Sequence, residues 1–331
     1  MSSFFELDLE RHLGLGGHLI KIEKLLKWYR FEKILKDVHS ELGRDGYDPL
    51  QMFKCLLLQS WHSLSDPGLE QSLRVRLDFL QFTGFNVGDD LPDETTFCRF
   101  RGKLVRQGKY EKLLAEVNRQ LEKHGLKLKQ ADVAIVDATL IPANARPRKV
   151  TLATQEGEIE TSHSADADAS WKKKGSKSHF GYQGFARCDA DGFIDKTHVT
   201  PANLAETKEL DAMTDGLQEG IRVQADKGFF SAANKAMLKE KKLKNGLMYK
   251  AFRNTPLTPH MKRFNKLVSK TRWRIEQCFG TIKRRFNFTK AAYFGTEKVN
   301  AQFAMKAICH NLLKAVNKIT LTPENRLMQR L

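Results

Sequence analysis

A chain of 331 residues with 41% hydrophobic side chains is long enough for two domains with real cores and too apolar for wholesale disorder. Its 56 lysines and arginines against 39 acids give a net charge of +17, which points to a polyanionic partner, DNA or RNA, while leaving a generally basic soluble protein open. Five cysteines without a Cys-x-x-Cys pair argue against a disulfide framework or zinc ribbon; no apolar run is long enough for a membrane span and the N-terminus is unlike a signal peptide, so a reducing cytoplasm is expected.

Residues 17–130 read as helices. Leu19, Ile20, Ile22, Leu25 and Leu26 open an amphipathic pattern, and Pro49 suits the first turn of a helix through Met52, Phe53, Leu56, Leu57 and Trp61. Ser65-Asp66-Pro67 stops that helix and starts one carrying Leu69, Leu73 and Leu77. Asp93 and its neighbours read as an N-cap, followed by an apolar stripe of Phe97, Phe100 and Leu104 and a basic one of Arg99, Arg101, Lys103 and Arg106. Residues 1–130 are therefore expected to form a helical, helix-turn-helix-like DNA-binding domain; a plain bundle with solvated basic faces fits the same pattern.

From residue 131 strands and helices alternate. Residues 133–141 read as a buried strand, 145–178 as a polar insertion or mobile loop, and 179–187 and 193–199 as a hairpin about Cys188–Gly192. A helix is expected over 204–217, a strand over 221–225, a helix from Ser231 to about Leu243, and an Asn245-Gly246 turn into a strand over 247–252. Two long helices follow, near 260–285 and 299–316. Residues 131–331 are thus expected to be an α/β domain built on a mixed five-stranded sheet flanked by helices.

Three acids stand out. Asp137 lies inside the apolar run Val133–Ile141, Asp226 ends the strand Ile221–Ala225, and Glu276 is the only acid among ten lysines and arginines between residues 261 and 290. A carboxylate at the end of a buried strand is costly unless it pairs or binds a metal. Arg272, Glu276 and Lys283 share one helix face by their spacing of four and seven. A routine Arg272–Glu276 pair explains Glu276 alone and leaves the two aspartates unexplained. Three carboxylates can hold two divalent ions about 4 Å apart, and all-oxygen ligands suit magnesium. His179, His198 and His310 are isolated and read as structural histidines.

These motifs resemble the DDE transposases of bacterial insertion sequences, in the branch called the insertion-sequence-five family. Arg272, Glu276 and Lys283 match that branch's Tyr-x2-Arg-x3-Glu-x6-Lys signature, with Ser269 in the tyrosine slot. Ile135-Val136-Asp137-Ala138-Thr139 and Ala225-Asp226-Lys227-Gly228-Phe229 resemble its two aspartate motifs, Thr200-Pro201-Ala202-Asn203 a segment between them, and Leu91–Arg101 its N-terminal domain. The resemblance runs from about residue 45 to 315 and implies an RNase H-like catalytic fold.

It further implies that Asp137, Asp226 and Glu276 ligate two magnesium ions, with manganese as a substitute, for hydrolysis at the element's ends and strand transfer into target DNA. Arg272, Lys283, Arg274, Arg284, Lys227, Arg99 and Arg101 are the candidate DNA contacts. Implied partners are double-stranded DNA, as terminal inverted repeats and target, and a second copy of the chain on paired ends; the implied location is the bacterial cytoplasm, at the nucleoid. An RNase H-like nuclease that cuts without joining, or a DNA-binding protein whose catalysis has decayed, are the alternatives.

Overall fold

The computed structural model describes residues 17–38, 46–127, 132–145, 149–153, 159–163, 165–253 and 255–321. Two compact units divide the chain, one of residues 1–127 with 308–331 and one of residues 128–307.

The first unit is helical: α1 (His18–Leu25), α2 (Tyr29–Leu35), α3 (Pro49–His62), α4 (Asp66–Val75), α5 (Leu77–Thr83), α6 (Glu94–Arg106) and α7 (Lys109–Lys123). The caps at Ser65 and Asp93 are those the sequence announces, and Asp48 caps the helix that Pro49 marks. Asp48 accepts from the Leu50 and Gln51 amides, Ser65 from that of Gly68 and Asp93 from that of Thr96. Phe97, Phe100 and Leu104 are buried. The helix expected through Leu77 breaks instead at Arg76, which is extended at φ −109°, ψ 109°, and Leu77 opens α5 with 41% exposure.

Arg101 does not belong to the basic stripe. It stands four residues after Phe97 and three before Leu104, so helical spacing turns it inward. Its guanidinium donates to Asp66 Oδ1 at 3.0 Å, Asp66 Oδ2 at 2.6 Å and Gln59 Oε1 at 3.1 Å, locking α6 to α3 and α4. The structure thus places Arg101 inside the helical unit, committed to a carboxylate, and not on the exposed basic stripe where the sequence put it.

The second unit holds β1 (Val133–Pro142), β2 (Lys149–Ala153), β3 (Ile159–His163), β4 (Ser170–Lys174), β5 (Lys177–Cys188), β6 (Ile194–Pro201), β7 (Arg222–Ala225) and β8 (Lys244–Leu247). Its helices are α8 (Glu206–Thr214), α9 (Ala232–Glu240), α10 (Pro259–Arg285) and the first part of α11 (Thr296–Leu321). The central order is β6-β5-β1-β7-β8. β5 runs antiparallel to β6 and β1, while β1, β7 and β8 are parallel. Three antiparallel strands followed by two parallel ones make this the RNase H-like mixed sheet.

Each face of the sheet is covered by helices. Val136, Phe185, Val223 and Ala225 pack with Leu210 and Met213 of α8, Phe229, and Leu238 of α9. Strand alternation turns Ile135, Asp137 and Gln224 to the other face, where α10 lies.

Three expectations change here. Residues 145–178 are not simply a loop: β2 and β3 pair as a separate hairpin, and β4 pairs with β5 as a sixth strand of the main sheet. The last strand is residues 244–247 rather than 247–252, and Asn245-Gly246 lies inside it. A Cβ on Gly246 would stand 2.5 Å from the Val223 carbonyl, so this glycine serves close strand approach and not a turn. From Ile308 onward α11 groups with the helical unit, where Asn311 Nδ2 donates to Asn118 Oδ1 at 2.8 Å and Lys318 Nζ to the Leu126 carbonyl at 2.9 Å. A unit boundary inside a continuous helix leaves no linker composition for the sequence to show.

Candidate active site

Strand register brings two of the three acids together. Ile135 of β1 is paired with Gln224 of β7 in a parallel ladder. Asp137 and Asp226 each lie two residues further on, so the ladder carries them to neighbouring positions on the face that α10 covers. The electrostatics agree: the Asp226 charge raises the Asp137 pKa. Asp226 leaves the strand end as the cap of a 3-10 turn, its Oδ1 accepting from the Gly228 amide at 2.7 Å.

α10 starts at Pro259 behind a Thr258 cap and buries Val268, Ile275, Cys278, Phe279 and Ile282. That apolar side seats the helix, and its neighbouring face reaches the two aspartate strands at three points. Arg272 Nη2 pairs with Asp137 Oδ2 at 2.8 Å, with the two side chains 12% and 14% exposed. Lys283 Nζ donates to Thr139 Oγ1 at 2.6 Å and to the Leu140 carbonyl at 3.4 Å. Thr271 donates to Gln224, two residues before Asp226. Glu276 lies one turn beyond Arg272 on this face and is exposed.

Burial pushes the Asp137 carboxyl up to about 6. The Arg272 charge and the Ala138 amide, which donates to Oδ1 at 2.9 Å, pull it down without winning. Lys283 is lowered, first by burial and then by the charge of Lys174. Arg272 also reaches the Met248 sulfur at 3.7 Å, and Ser269 Oγ, in the signature's tyrosine slot, lies 4.0 Å from the same atom.

Of the acids singled out by sequence, then, Asp137 and Asp226 are neighbours. Glu276 is on the correct helix face but its carboxylate is not gathered with theirs: among the described residues no three His, Cys, Asp or Glu side chains form a group able to hold a metal. The donor chemistry nonetheless fits a hard divalent cation. Two carboxylates of adjacent strands sit side by side, one of them desolvated enough to be held up near 6, and a third stands on the helix above.

The remaining basic candidates are dispersed. Arg274 stacks on the Trp273 ring at 4.0 Å, Arg284 Nε bonds back to the Gly280 carbonyl, and Arg99 and Lys227 are exposed. His198 bonds Glu209 at 3.1 Å, the structural role expected of it. All five cysteines are free. Thr139, Gln224, Thr271 and Met248, which hold α10 in place, escaped the sequence reading. Thr139 and Gln224 had a signal, since each lies two residues from an aspartate on the same strand face; Met248 had none.

Residues 128–312 match the family described as Transposase DDE domain, and residues 7–103 match the Transposase domain (DUF772). The transposase for insertion sequence element IS1106 of Neisseria meningitidis serogroup B is 45% identical over 227 residues, covering 68% of this chain and 79% of that protein. Among solved structures the Mos1 strand transfer complex aligns over 88% of this chain and 84% of its own at 13% identity, with a TM-score of 0.21. At that score the likeness adds nothing to the fold assignment, which rests on strand order. No helix among the described residues is long and apolar enough to cross a membrane. By the DDE domain that fills more than half its length and by the IS1106 relative, this chain belongs to the DDE transposases of insertion sequences.

Proposed function

We propose that this transposase binds the terminal inverted repeats of its own insertion sequence, hydrolyses a phosphodiester at each end, and joins the freed 3′ hydroxyl to target DNA. The observation that carries the reading is the placement of Asp137 and Asp226 on one sheet face beneath α10, whose Arg272 and Lys283 both bond β1 on either side of Glu276. Asp137, Asp226 and Glu276 would hold two magnesium ions, with manganese as a substitute. Such ions, when bound, activate the attacking oxygen and neutralise charge on the phosphate.

The chain's own residues set the stage. Arg272 fixes the rotamer of Asp137 and keeps that carboxylate charged against its burial. Lys283, oriented by Thr139, lays a cation along β1 two residues from Asp137, where a backbone phosphate is attracted. Exposed Lys227 and Arg284 and half-buried Arg274 add scattered positive charge around the site, and Arg99 carries it on the helical unit, which binds the repeats in this reading. Attack by water breaks the P–O3′ bond and leaves a 3′ hydroxyl. Attack by that hydroxyl on a target phosphate forms a new P–O3′ bond as the target's own O3′ departs. Two ends must meet, so a pair of chains acts together, in the bacterial cytoplasm at the nucleoid.

The test is cleavage of linear DNA bearing the element's inverted repeats, in magnesium and in EDTA, by the wild type and Glu276→Ala. Nicking at the repeat ends that needs magnesium and vanishes in Glu276→Ala, with DNA binding retained, is expected. Binding without cleavage in any divalent metal overturns the catalytic assignment.

A further inference from the structure

The segment that sequence patterning treats as an insertion forms a basic ribbon. β4 and the start of β5 pair from Ser170–Gly181 to Lys174–Lys177, closed by Gly175 at φ +62°. Residues 169–188 contain Lys172, Lys173, Lys174, Lys177 and Arg187 and no acid. Lys172 is committed, its Nζ donating to Gln183 Oε1 at 2.6 Å and lying 3.5 Å from Glu206. Lys173, Lys174 and Lys177 are exposed, and among the described residues none of them has a carboxylate partner.

The arrangement of these charges is costly as it stands. Lys174 is directly opposite Lys177 in the ladder, and like charges in cross-strand pairs repel. Lys174 also stands near Lys283 of α10, close enough for its charge to help lower the Lys283 pKa. Lys174 and Lys177 face each other at the ribbon's tip with Lys283 near Lys174, and an anion bridging these ammonium groups removes the repulsion. Trp171, on the alternate face with Lys173, is 48% exposed and packs against Phe180 with ring centroids 5.4 Å apart, stiffening the ribbon. A two-stranded ribbon is narrow enough to lie in the DNA major groove.

We propose that the β4–β5 ribbon is a second DNA-contacting surface of this transposase, in which Lys173, Lys174 and Lys177, with Lys283 beside them, grip the phosphates of the duplex that lies across Asp137. This rests on the reading of the site as a DNA-processing centre and adds to it the element that holds the substrate.

The experiment compares full-length wild type, the triple variant Lys173→Ala/Lys174→Ala/Lys177→Ala, and its arginine counterpart. Binding to a terminal-repeat duplex and to a random duplex is titrated over a range of salt. Losing three phosphate contacts lowers the slope of log affinity against log salt by about 3, so the gap between wild type and the alanine variant closes about 40-fold between about 50 and 200 mM salt. The loss is expected equally on both duplexes, with the arginine variant behaving as the wild type. If the wild type binds with a steep salt slope and the alanine variant keeps both slope and affinity, the ribbon is not a contact, while the transposase reading stands. The arginine variant retains charge and fold, so a binding loss equal to that of the alanine variant also overturns a phosphate role. Wild type that binds no repeat DNA sinks the underlying reading, and the ribbon proposal with it.

Discussion

Arg272 of α10 and Asp137 of β1 form an ion pair at 2.8 Å, with both side chains nearly out of contact with solvent. Sequence spacing offered Arg272 a neighbour one turn away in Glu276, yet the guanidinium crosses to the sheet. The choice follows from dielectric: an exposed helix pair is worth a few tenths of a kcal/mol, whereas a buried carboxylate left without a partner costs several. Glu276 is thereby kept out of its neighbour's reach and available for another cation.

Arg272→Ala should therefore destabilise the fold by about 3 kcal/mol at neutral pH, by stranding a buried charge. The loss should shrink at pH 5, where Asp137 can take up a proton. Adding Asp137→Asn to Arg272→Ala should recover part of the stability. Denaturant melts of the wild type, Arg272→Ala, Asp137→Asn and the double variant at the two pH values measure this; additive losses with no pH dependence would show that the pair is not coupled.

The Asp137 carboxyl itself makes stability depend on pH. Its pKa rises from an ordinary 3.8 to about 6 in the folded chain, so the folded state binds the proton more tightly than the unfolded one. That contribution is fully present below pH 3.8 and is lost as the pH rises through about 6. Metal-free wild type should lose at most about 3 kcal/mol relative to Asp137→Asn across that window. Magnesium should restore the difference above pH 6 in the wild type and not in Asp137→Asn. Thermal melts with EDTA and with magnesium test it, and parallel pH profiles for the two proteins would refute it.

Arg101 separates a structural arginine from an exposed one on the same helix. Hydrogen bonds from Arg101 and Gln59 outweigh burial and hold the Asp66 pKa below its ordinary value. Arg101→Ala should cost about 2–4 kcal/mol by leaving Asp66 and Gln59 without their donor. Arg99→Ala should leave the melting temperature within a degree or two and weaken DNA binding instead. A stable Arg101→Ala that loses DNA affinity would reverse the assignment.

Gly181 marks the point where β5 changes partners, paired with Ser170 on one side and Pro142 on the other. A Cβ there would fall on the Ile141 carbonyl and 2.5 Å from the Ala143 amide, at φ +152°. Gly181→Ala should destabilise by roughly 3 kcal/mol or more, since backbone and not a flexible side chain must move. Gly175→Ala, with open space around it, should cost about 1 kcal/mol for its positive φ alone. Equal losses at the two sites, read by denaturant unfolding, would contradict the crowding at Gly181.

Much of the site was legible because it rests on local pattern. Asp137 and Asp226 announce themselves as acids in or ending apolar runs, and the spacing of Arg272, Glu276 and Lys283 follows from 3.6 residues per turn. Alternating strands and helices after residue 131 pointed to a mixed sheet flanked by helices, the family resemblance supplied its RNase H-like character, and Pro49 and the caps at Ser65 and Asp93 marked helix starts to within a residue or two. Periodicity depends only on near neighbours in the chain, so a single sequence carries it.

What the sequence left open depends on residues far apart in it. Lys283 finds Thr139 across 144 positions, and Thr271 finds Gln224 across 47. Arg101 was read as a surface cation because its partner, Asp66, is 35 residues away and looked like part of a helix start. The lysine ribbon has too few apolar anchors to be read as strands; β4 exists because β5 supplies it a ladder of backbone hydrogen bonds. Gly246 passed for a turn because only the approach of Val223 shows why no side chain fits there. The sequence alone determined which residue types the site would contain and the order of the elements that bear them. Only the tertiary structure decided which charges meet, because the energy of an ion pair or a close packing contact is set by burial and distance, and neither is a property of neighbours along the chain.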